Sequence, residues 1–331
     1  MKRRTIFLSL IASSVLMTEA IGFDGTNAKI VQFSYNLTSD SFYSGTDKDF
    51  NNYYKYYNEG IVNTDLEIPL DDNMIPQGIT LYNDYILTTS YNYNKQENSC
   101  VYVLSKNGEL INTCELPNKA HVGGIAYDKV NDLVWICGVN GCIDAYKPYF
   151  LLRMKEAYPM YANLDVGDGL PNFKNFFLNS VSYLAVDGND IYVGSFSLKG
   201  SGLVKKYTIG IDEETMTLTL KFKKEFKVPK KVQGLTFYEK DDQKYIIFSR
   251  SYGKYTPSVL QIFKYDDEIS SYDNSLPSVS YEAPTMMEQI TCDQDLIYSI
   301  FESGADYYKD GLDKISNIHV LDSETLVRRL K

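Results

Sequence analysis

A pattern of two apolar strands around a polar turn recurs five times along this sequence. Each copy starts with a small or polar pair, continues through Ile or Leu and then Ala or Thr, and passes an Asn/Asp-rich turn into a β-branched strand. Recurrence at a spacing of about 50 residues is typical of arrays of similar small sheets. The copies are "PQGITLYNDYILTTSY" from Pro76, "VGGIAYDKVNDLVWICG" from Val122, "VSYLAVDGNDIYVGSF" from Val181, "VQGLTFYEKDDQKYIIFSRS" from Val232 and "MEQITCDQDLIYSIFES" from Met287.

A second hairpin follows the first in most copies, as in "VYVLSKNGELINTCEL" (101–116) and "IHVLDSETLVRRL" (318–330). Each repeat therefore supplies about four short antiparallel strands, the content of one β-propeller blade. The sequence predicts an all-β fold, a five-bladed β-propeller of four-stranded antiparallel blades over residues 61–331. Its blades are expected to start near residues 76, 122, 181, 232 and 287.

Three segments depart from the repeat. "KPYFLLRMKEAYPMY" (147–161) predicts a helical insertion that replaces or decorates an outer strand of the second blade. "IVNTDLEIPL" (61–70) resembles the strands that end other blades, so we expect it to complete the last blade and close the ring. Residues 21–60 are rich in Tyr, Asn and Asp and are expected to form an extension with little core of its own.

The first 20 residues, "MKRRTIFLSLIASSVLMTEA", have the three parts of a secretory signal peptide: a basic head, an apolar run and a small residue for cleavage. We expect the chain to be secreted and the signal peptide to be cleaved. The apolar run is too short to span a bilayer comfortably, so no membrane insertion is expected.

The formal net charge of the chain is −10. Such a surface repels phosphate backbones, so nucleic acid is not an expected partner. The sequence carries no Walker loop, dinucleotide fingerprint or zinc-binding spacing, so neither a cofactor nor a metal is expected. We expect a monomer whose partner is a small polar molecule or a glycan.

Two cysteine pairs flank predicted turns. Cys100 and Cys114 surround "SKNGEL", and Cys137 and Cys142 surround "GVNG", so a tight hairpin register would set the two members of each pair opposite each other. Export permits disulfides. Buried free thiols remain the alternative.

In its hairpin pattern the chain resembles the secreted bacterial β-propellers that carry NHL-like and YncE-like repeats, over about residues 61–331. The resemblance implies the propeller fold and is weak for activity. Propeller lactonases hold a metal with a dispersed Glu, Asn and Asp set, but no loop of the "SNGL" type occurs here, so no metal site is carried over.

In a β-propeller the first strand of each blade starts, and the second strand ends, at the same end of the ring. This geometry predicts where a site lies. Matched polar positions should converge there on one funnel, and a few convergent polar groups in a concavity indicate a binding site. The predicted ligand-binding residues are Gln77, Tyr91, His121, Ser195, Gln233, Arg250, Glu288 and Glu302.

Arg250 and Glu302 each follow an apolar run and precede a glycine-containing loop. A charge at such a place needs a partner, so we expect a salt bridge between them across the rim. In a functional interpretation Arg250 binds an anionic or hydroxylated ligand, while Glu288 or Glu302 acts as acid, base or hydrogen-bond acceptor.

The leading functional hypothesis is a secreted propeller that binds a small polar ligand or glycan in the funnel. One alternative is an extracellular hydrolase or lyase acting on a carbohydrate or lactone, with Glu288 and Glu302 as candidate catalytic residues. The other is a protein-interaction scaffold, which would show a broad apolar patch on one face. The sequence leaves the presence of catalysis open.

Overall fold

The computed structural model describes residues 54–160, 180–212, 217–273, 277 and 279–328, and these residues form five antiparallel sheets. The predicted five-bladed β-propeller is confirmed. The predicted signal peptide (1–20) and most of the predicted extension (21–60) lie outside the described residues.

The described chain begins with helix α1 (Lys55–Asn58) and strand β1 (Ile61–Glu67). Blade 1 contains β2 (Met74–Tyr82), β3 (Tyr85–Asn92), β4 (Cys100–Ser105) and β5 (Leu110–Glu115). Blade 2 contains β6 (Ile125–Asp128), β7 (Leu133–Cys137) and β8 (Ile143–Tyr146), and is followed by helix α2 (Pro148–Arg153).

Blade 3 contains β9 (Tyr183–Asp187), β10 (Asp190–Ser195), β11 (Gly202–Asp212) and β12 (Thr217–Val228). Blade 4 contains β13 (Val232–Lys240), β14 (Gln243–Arg250), β15 (Ser258–Lys264) and β16 (Val279–Ala283). Blade 5 contains β17 (Met287–Asp293), β18 (Leu296–Phe301), β19 (Asn317–Asp322) and β1, and helix α3 (Ser323–Val327) follows β19.

The blades form a closed ring. The first strands of successive blades touch in the order β2, β6, β9, β13 and β17, and β17 returns to β2. The outermost place in blade 5 is filled by β1, which pairs antiparallel with β19 and sets Leu66 opposite Ile318. The last blade is therefore built from both ends of the described chain, which joins the first repeat to the last.

Tight turns within the first hairpin of each blade explain why the repeat folds as it does. Each of these turns contains at least one residue with positive φ, the conformation that hairpin turns of the primed types require. Asn, Asp and Gly tolerate that conformation best. The residues are Asn83, Asp132, Gly188, Asp241, Asp242 and Gln294.

Blade 2 differs from the predicted pattern, since it has three strands within the described residues. The predicted helical insertion is present as α2, which starts with Pro148 and ends where Met154 becomes extended. The helix packs on the outer strand of blade 1, where the Asn112 side-chain amide donates to the carbonyls of Leu151 and Met154.

The predicted cysteine registers are wrong. Cys100 lies opposite Glu115, and Cys114 lies opposite Val101, so a shift of one residue sends the two thiols to opposite faces of blade 1. A bulge between Val103 and Leu104 produces the shift. Cys137 likewise lies opposite Ile143 instead of Cys142, and all five cysteines are free.

The core lies between neighbouring blades. Leu87, Val101 and Cys114 of blade 1 pack against Val134 and Ile136 of blade 2, and equivalent clusters join blades 2 and 3, blades 3 and 4, and blades 5 and 1. Successive residues of each strand thus face opposite neighbouring blades, so most strands are buried on both faces.

Candidate functional site

A cavity of about 590 Å³ opens at one end of the ring, where the first strands begin and the second strands end. Its volume lies within the range of ordinary small-molecule sites. Residues near the starts of first strands and at the ends of second strands are among those that line it. They include Gln77, His121, Ser182, Gln233 and Glu288 near strand starts, and Tyr91, Gly138, Phe196, Ser251 and Glu302 at the ends of second strands.

The structure therefore brings six of the eight predicted site residues into one cavity: Gln77, Tyr91, His121, Gln233, Glu288 and Glu302. Their role in ligand binding stays a prediction. Ser195 is not among the lining residues, and its hydroxyl donates to the carbonyl of Leu203. The neighbouring Phe196 occupies the funnel instead.

The expected salt bridge between Arg250 and Glu302 is wrong. The Arg250 guanidinium donates to the carbonyl of Lys230 at 2.9 Å and to Gln261 Oε1 at 3.0 Å. It lines a separate cavity of about 300 Å³ that also includes Asp273. Side chains of a strand alternate in direction, so the next residue, Ser251, faces the funnel and Arg250 does not.

β-Bulges position three of the polar residues. The ladder shifts by one residue between Pro76 and Gly78, and again between Val232 and Gly234, so Gln77 and Gln233 are the extra residues. A third shift in blade 5, between its residues 287 and 290, includes Glu288. A bulge changes the direction of a side chain relative to the regular alternation of the strand. This explains why these three side chains point into the funnel.

Two carboxyl–amide pairs lie side by side in the cavity. Gln77 Nε2 donates to Glu302 Oε1 at 2.5 Å, and Gln233 Nε2 donates to Glu288 Oε1 at 3.0 Å. Both carboxyls belong to blade 5, while the amides come from the two flanking blades. Gln77 and Glu288 are almost fully buried by the surrounding protein. Each pair thus joins blade 5 to one neighbour.

Burial and mutual repulsion disfavour the charged forms of these two carboxyls. Burial raises the pKa of Glu302 to about 7, against the hydrogen bond from Gln77, which lowers it. Burial and the nearby charge of Glu302 raise the pKa of Glu288 well above its ordinary value. Two carboxyls that interact this strongly titrate as a pair. Near neutral pH this pair therefore keeps protons that an exposed carboxyl would have released.

Aromatic rings form much of the remaining wall. Tyr91 stacks on His121 with 4.4 Å between ring centroids. Burial and the charges of Glu302 and Glu288 raise the pKa values of Tyr91 and Tyr308, so both hydroxyls keep their protons. Desolvation and the charge of Lys95 lower the pKa of His121, which leaves it neutral at pH 7 although the residue is exposed by its surface area.

The centre of the ring contains the buried side chain of Gln289, which sequence reasoning missed and which is not among the residues that line the cavity. Its Oε1 accepts from the backbone N–H of Ile79 at 3.2 Å and of Ile125 at 2.8 Å. Its Nε2 donates to the carbonyls of Ile125 at 2.7 Å and Leu184 at 3.1 Å. One amide on blade 5 thus bonds to the first strands of blades 1, 2 and 3, across the axis of the ring.

Glycines allow this close approach. A Cβ on Gly78 would lie 2.8 Å from Gln289 Oε1, and one on Gly234 would lie 2.8 Å from Gln289 Cα. Both distances are shorter than real Cβ contacts, so side chains at these two positions would displace the central glutamine. The "QG" that opens the first and fourth repeats therefore combines a funnel-facing amide with a residue that admits Gln289.

Neither a cluster of metal-ligating side chains nor a membrane-spanning helix is found in the described part of the chain. No group of three or more His, Cys, Asp and Glu side chains there is arranged to hold a metal ion. No helix in the described ranges is long and apolar enough to cross a membrane.

The sequence matches no family of known proteins and no curated protein. Solved structures with a similar fold include the tail fiber of Staphylococcus aureus phage P68, with 14% identity, a TM-score of 0.48 and coverage of 84% of this chain. This chain spans 57% of the tail fiber chain.

Two further similar structures are β-propeller domains. The Cps50 (Swd1) domain of Myceliophteria_thermophila has 9% identity and a TM-score of 0.39. The match covers 79% of this chain and 98% of that domain. The WD40 domain of Doa1 has 11% identity and a TM-score of 0.39, with coverages of 80% and 97%. The resemblance to β-propellers noted in the sequence holds at the level of fold, as the five sheets of this chain show.

Proposed function

We propose that this protein binds a small polyhydroxylated ligand, such as part of a glycan, in the funnel. The observation that carries the proposal is the pair of carboxyl–amide contacts, Gln77–Glu302 and Gln233–Glu288, inside one cavity of ligand size. Amides and carboxyls offer donors and acceptors at fixed spacing, which suits a ligand covered with hydroxyls.

Exposed tyrosines around the funnel support a sugar ligand. Tyr93 and Tyr307 follow the second strands of blades 1 and 5, and their rings stack with centroids 4.3 Å apart. They are 40% and 52% exposed. Tyr252, on the equivalent loop of blade 4, lines the cavity. A tyrosine ring has an apolar face and a polar hydroxyl, and a sugar ring can contact both.

A thermal-shift screen of the chain without residues 1–20 against glycans and small polyols tests the proposal, followed by calorimetry on each hit. Gln77→Ala and Gln233→Ala should each weaken binding at least tenfold, because each removes an amide and leaves a carboxyl without its donor. Arg250→Ala is the matched control, since Arg250 lies outside the funnel. Equal loss in the control variant, or no loss in either glutamine variant, would contradict the proposal.

A second candidate function is hydrolysis of a glycosidic bond, favoured by two carboxyls of raised pKa in one cavity. A carboxyl that keeps its proton near neutral pH is suited to be the general acid, and Glu302 has a pKa of about 7. Incubation of each bound glycan with the protein decides between the candidates. Product formation that Glu302→Gln abolishes establishes the enzyme, and an unchanged glycan establishes simple binding.

We also propose that the chain is exported and works outside the cell as a monomer. The basic and apolar order of residues 1–20 supports export. Expression of the whole chain in a bacterium tests this: recovery of a secreted product that begins near residue 21 supports the proposal, and retention of the uncut chain inside the cell refutes it.

A further inference from the structure

We propose that the funnel selects ligands that carry a protonated amine, so that an amino sugar is preferred over the corresponding neutral sugar. This inference rests on the proposed function and deepens it, since it specifies the charge of the ligand. The geometry behind it is the convergence of Glu288 and Glu302 in one cavity, where neither carboxyl forms an ion pair with a described basic residue.

The first step is the lack of a counter-charge. Among the described residues, no Lys, Arg or His forms a salt bridge with Glu288 or Glu302. Lys254 is the one basic side chain that lines the cavity besides His121, and its ammonium is bound to Asp310 at 2.5 Å. His121 is neutral at pH 7 because its pKa is lowered. The carboxyls therefore have amide partners alone.

The second step is the remaining hydrogen-bonding capacity. Once ionised, a carboxylate has about four acceptor positions, whereas within the described residues each of these two accepts a single side-chain bond, from Gln77 or from Gln233. The carbonyl oxygen of Gln77 is also buried and has no hydrogen-bond partner in the described structure. An ammonium group brings three donors and no acceptor, and so matches a site of unfilled acceptors.

The third step is the character of the walls. Tyr91 and Tyr308 line the cavity beside the carboxyls, and both keep neutral hydroxyls. Aromatic faces attract a cation when water is excluded, whereas they give no comparable preference to a neutral hydroxyl. An arriving ammonium would therefore meet carboxyl oxygens and ring faces together. Its charge would favour the ionised forms of Glu288 and Glu302, so binding would release protons that the pair otherwise keeps.

Calorimetry at pH 7 with three matched probes tests the inference. The probes are the β-1,4-linked tetramers of glucosamine, of N-acetylglucosamine and of glucose, which differ in one substituent per ring. Spermidine serves as a cation without hydroxyls. We expect the glucosamine tetramer to bind at least tenfold more tightly than the two neutral tetramers, because a charge-assisted contact to a buried carboxylate is about twice as strong as a neutral one.

Glu288→Gln and Glu302→Gln should each reduce this preference to less than threefold. Both substitutions keep the side-chain shape and remove a carboxyl that can ionise when an ammonium binds, so folding is retained, as the melting temperature and circular dichroism will verify. Glu302→Gln decides alone if the other variant does not fold. Glu239→Gln is the control, because Glu239 is exposed at the far end of β13 and should leave the preference unchanged.

The outcomes separate the two proposals. Equal binding of all three tetramers overturns the charge preference and leaves glycan binding intact. Binding of spermidine with no binding of any tetramer overturns the polyhydroxyl ligand and supports the cation site. A preference that survives both Gln variants refutes the role of the carboxyls, and absence of binding by every probe overturns both proposals.

Discussion

Replacement of Gln289 tests the most central contact in the ring. Its side-chain amide makes four hydrogen bonds to the backbone of blades 1, 2 and 3. A net contribution of about 1 kcal/mol for each bond gives about 4 kcal/mol for Gln289→Ala, before any cost of the cavity that the truncation leaves. For a domain of this size, such a loss lowers the melting temperature by about 8–16 °C.

Two further variants isolate the cause. Gln289→Met keeps the length and volume of the side chain but makes none of the four bonds, so it should lose most of the same stability. Gln96→Ala makes the same chemical change as Gln289→Ala on an exposed turn and should stay within about 0.5 kcal/mol of the parent.

Urea unfolding followed by tryptophan fluorescence measures these differences, because the single Trp135 is fully buried between blades 2 and 3. If Gln289→Met is as stable as the parent, the glutamine acts by filling space and the hydrogen-bond argument is refuted. If Gln289→Ala matches Gln96→Ala, the central contacts contribute nothing and the account of the ring centre is wrong.

Other predictions concern packing and thiols. Gly194→Ala should destabilise by about 2–3 kcal/mol in urea, because its Cβ would lie 2.0 Å from the Tyr183 ring, while Gly200→Ala, with open space around it, should change little. Tyr57→Phe should lower the unfolding free energy by about 1–2 kcal/mol, because the hydroxyl bonds to Ser299 Oγ at 3.0 Å in a buried site; an unchanged urea midpoint would contradict this. A thiol reagent should detect five thiols in denaturant and far fewer in the native protein, and a dithiothreitol-dependent melting temperature would refute the free-cysteine assignment.

The fold was predictable because its signal is local and is repeated. Asn83 and Asp132 carry the positive φ of their turns, and the residues around them alternate in a way that only paired strands satisfy. Five copies of a hairpin leave few ways to bury every sheet, and a closed ring is one of them. Local turn chemistry therefore determined the architecture without any knowledge of distant contacts.

The position of the cavity was predictable to within one residue, and strand alternation explains the errors about which side chains line it. Arg250 and Ser251 are adjacent, so the pattern located the rim but not which side chain faces it. The same limit applied to Cys100 and Cys114, where one bulged residue changes the face. A bulge depends on the backbone of both strands, which a single hairpin sequence does not specify.

Gln289 was not predictable because its partners are far away in sequence. The hydrogen bonds reach Ile79 and Ile125, which precede it by 210 and 164 residues. In the sequence "MEQIT" it looks like one polar residue of an inner strand. It differs from Glu288 in the direction of its side chain at a bulge. The Glu288 side chain points into the cavity, whereas the Gln289 side chain points towards the axis of the ring.

The carboxyl–amide pairs connect ring closure to the proposed site. Glu302 lies on blade 5, whose outer strand β1 directly precedes blade 1, and Gln77 on blade 1 donates to it. The contact therefore spans the junction between the first repeat and the last, while Gln233–Glu288 spans the junction on the other side of blade 5. A shift of blade 5 relative to its neighbours would lengthen at least one of these hydrogen bonds. In the proposed function the same side chains contact the ligand, so changes that loosen the junction through β1 should weaken binding even where no funnel residue is altered.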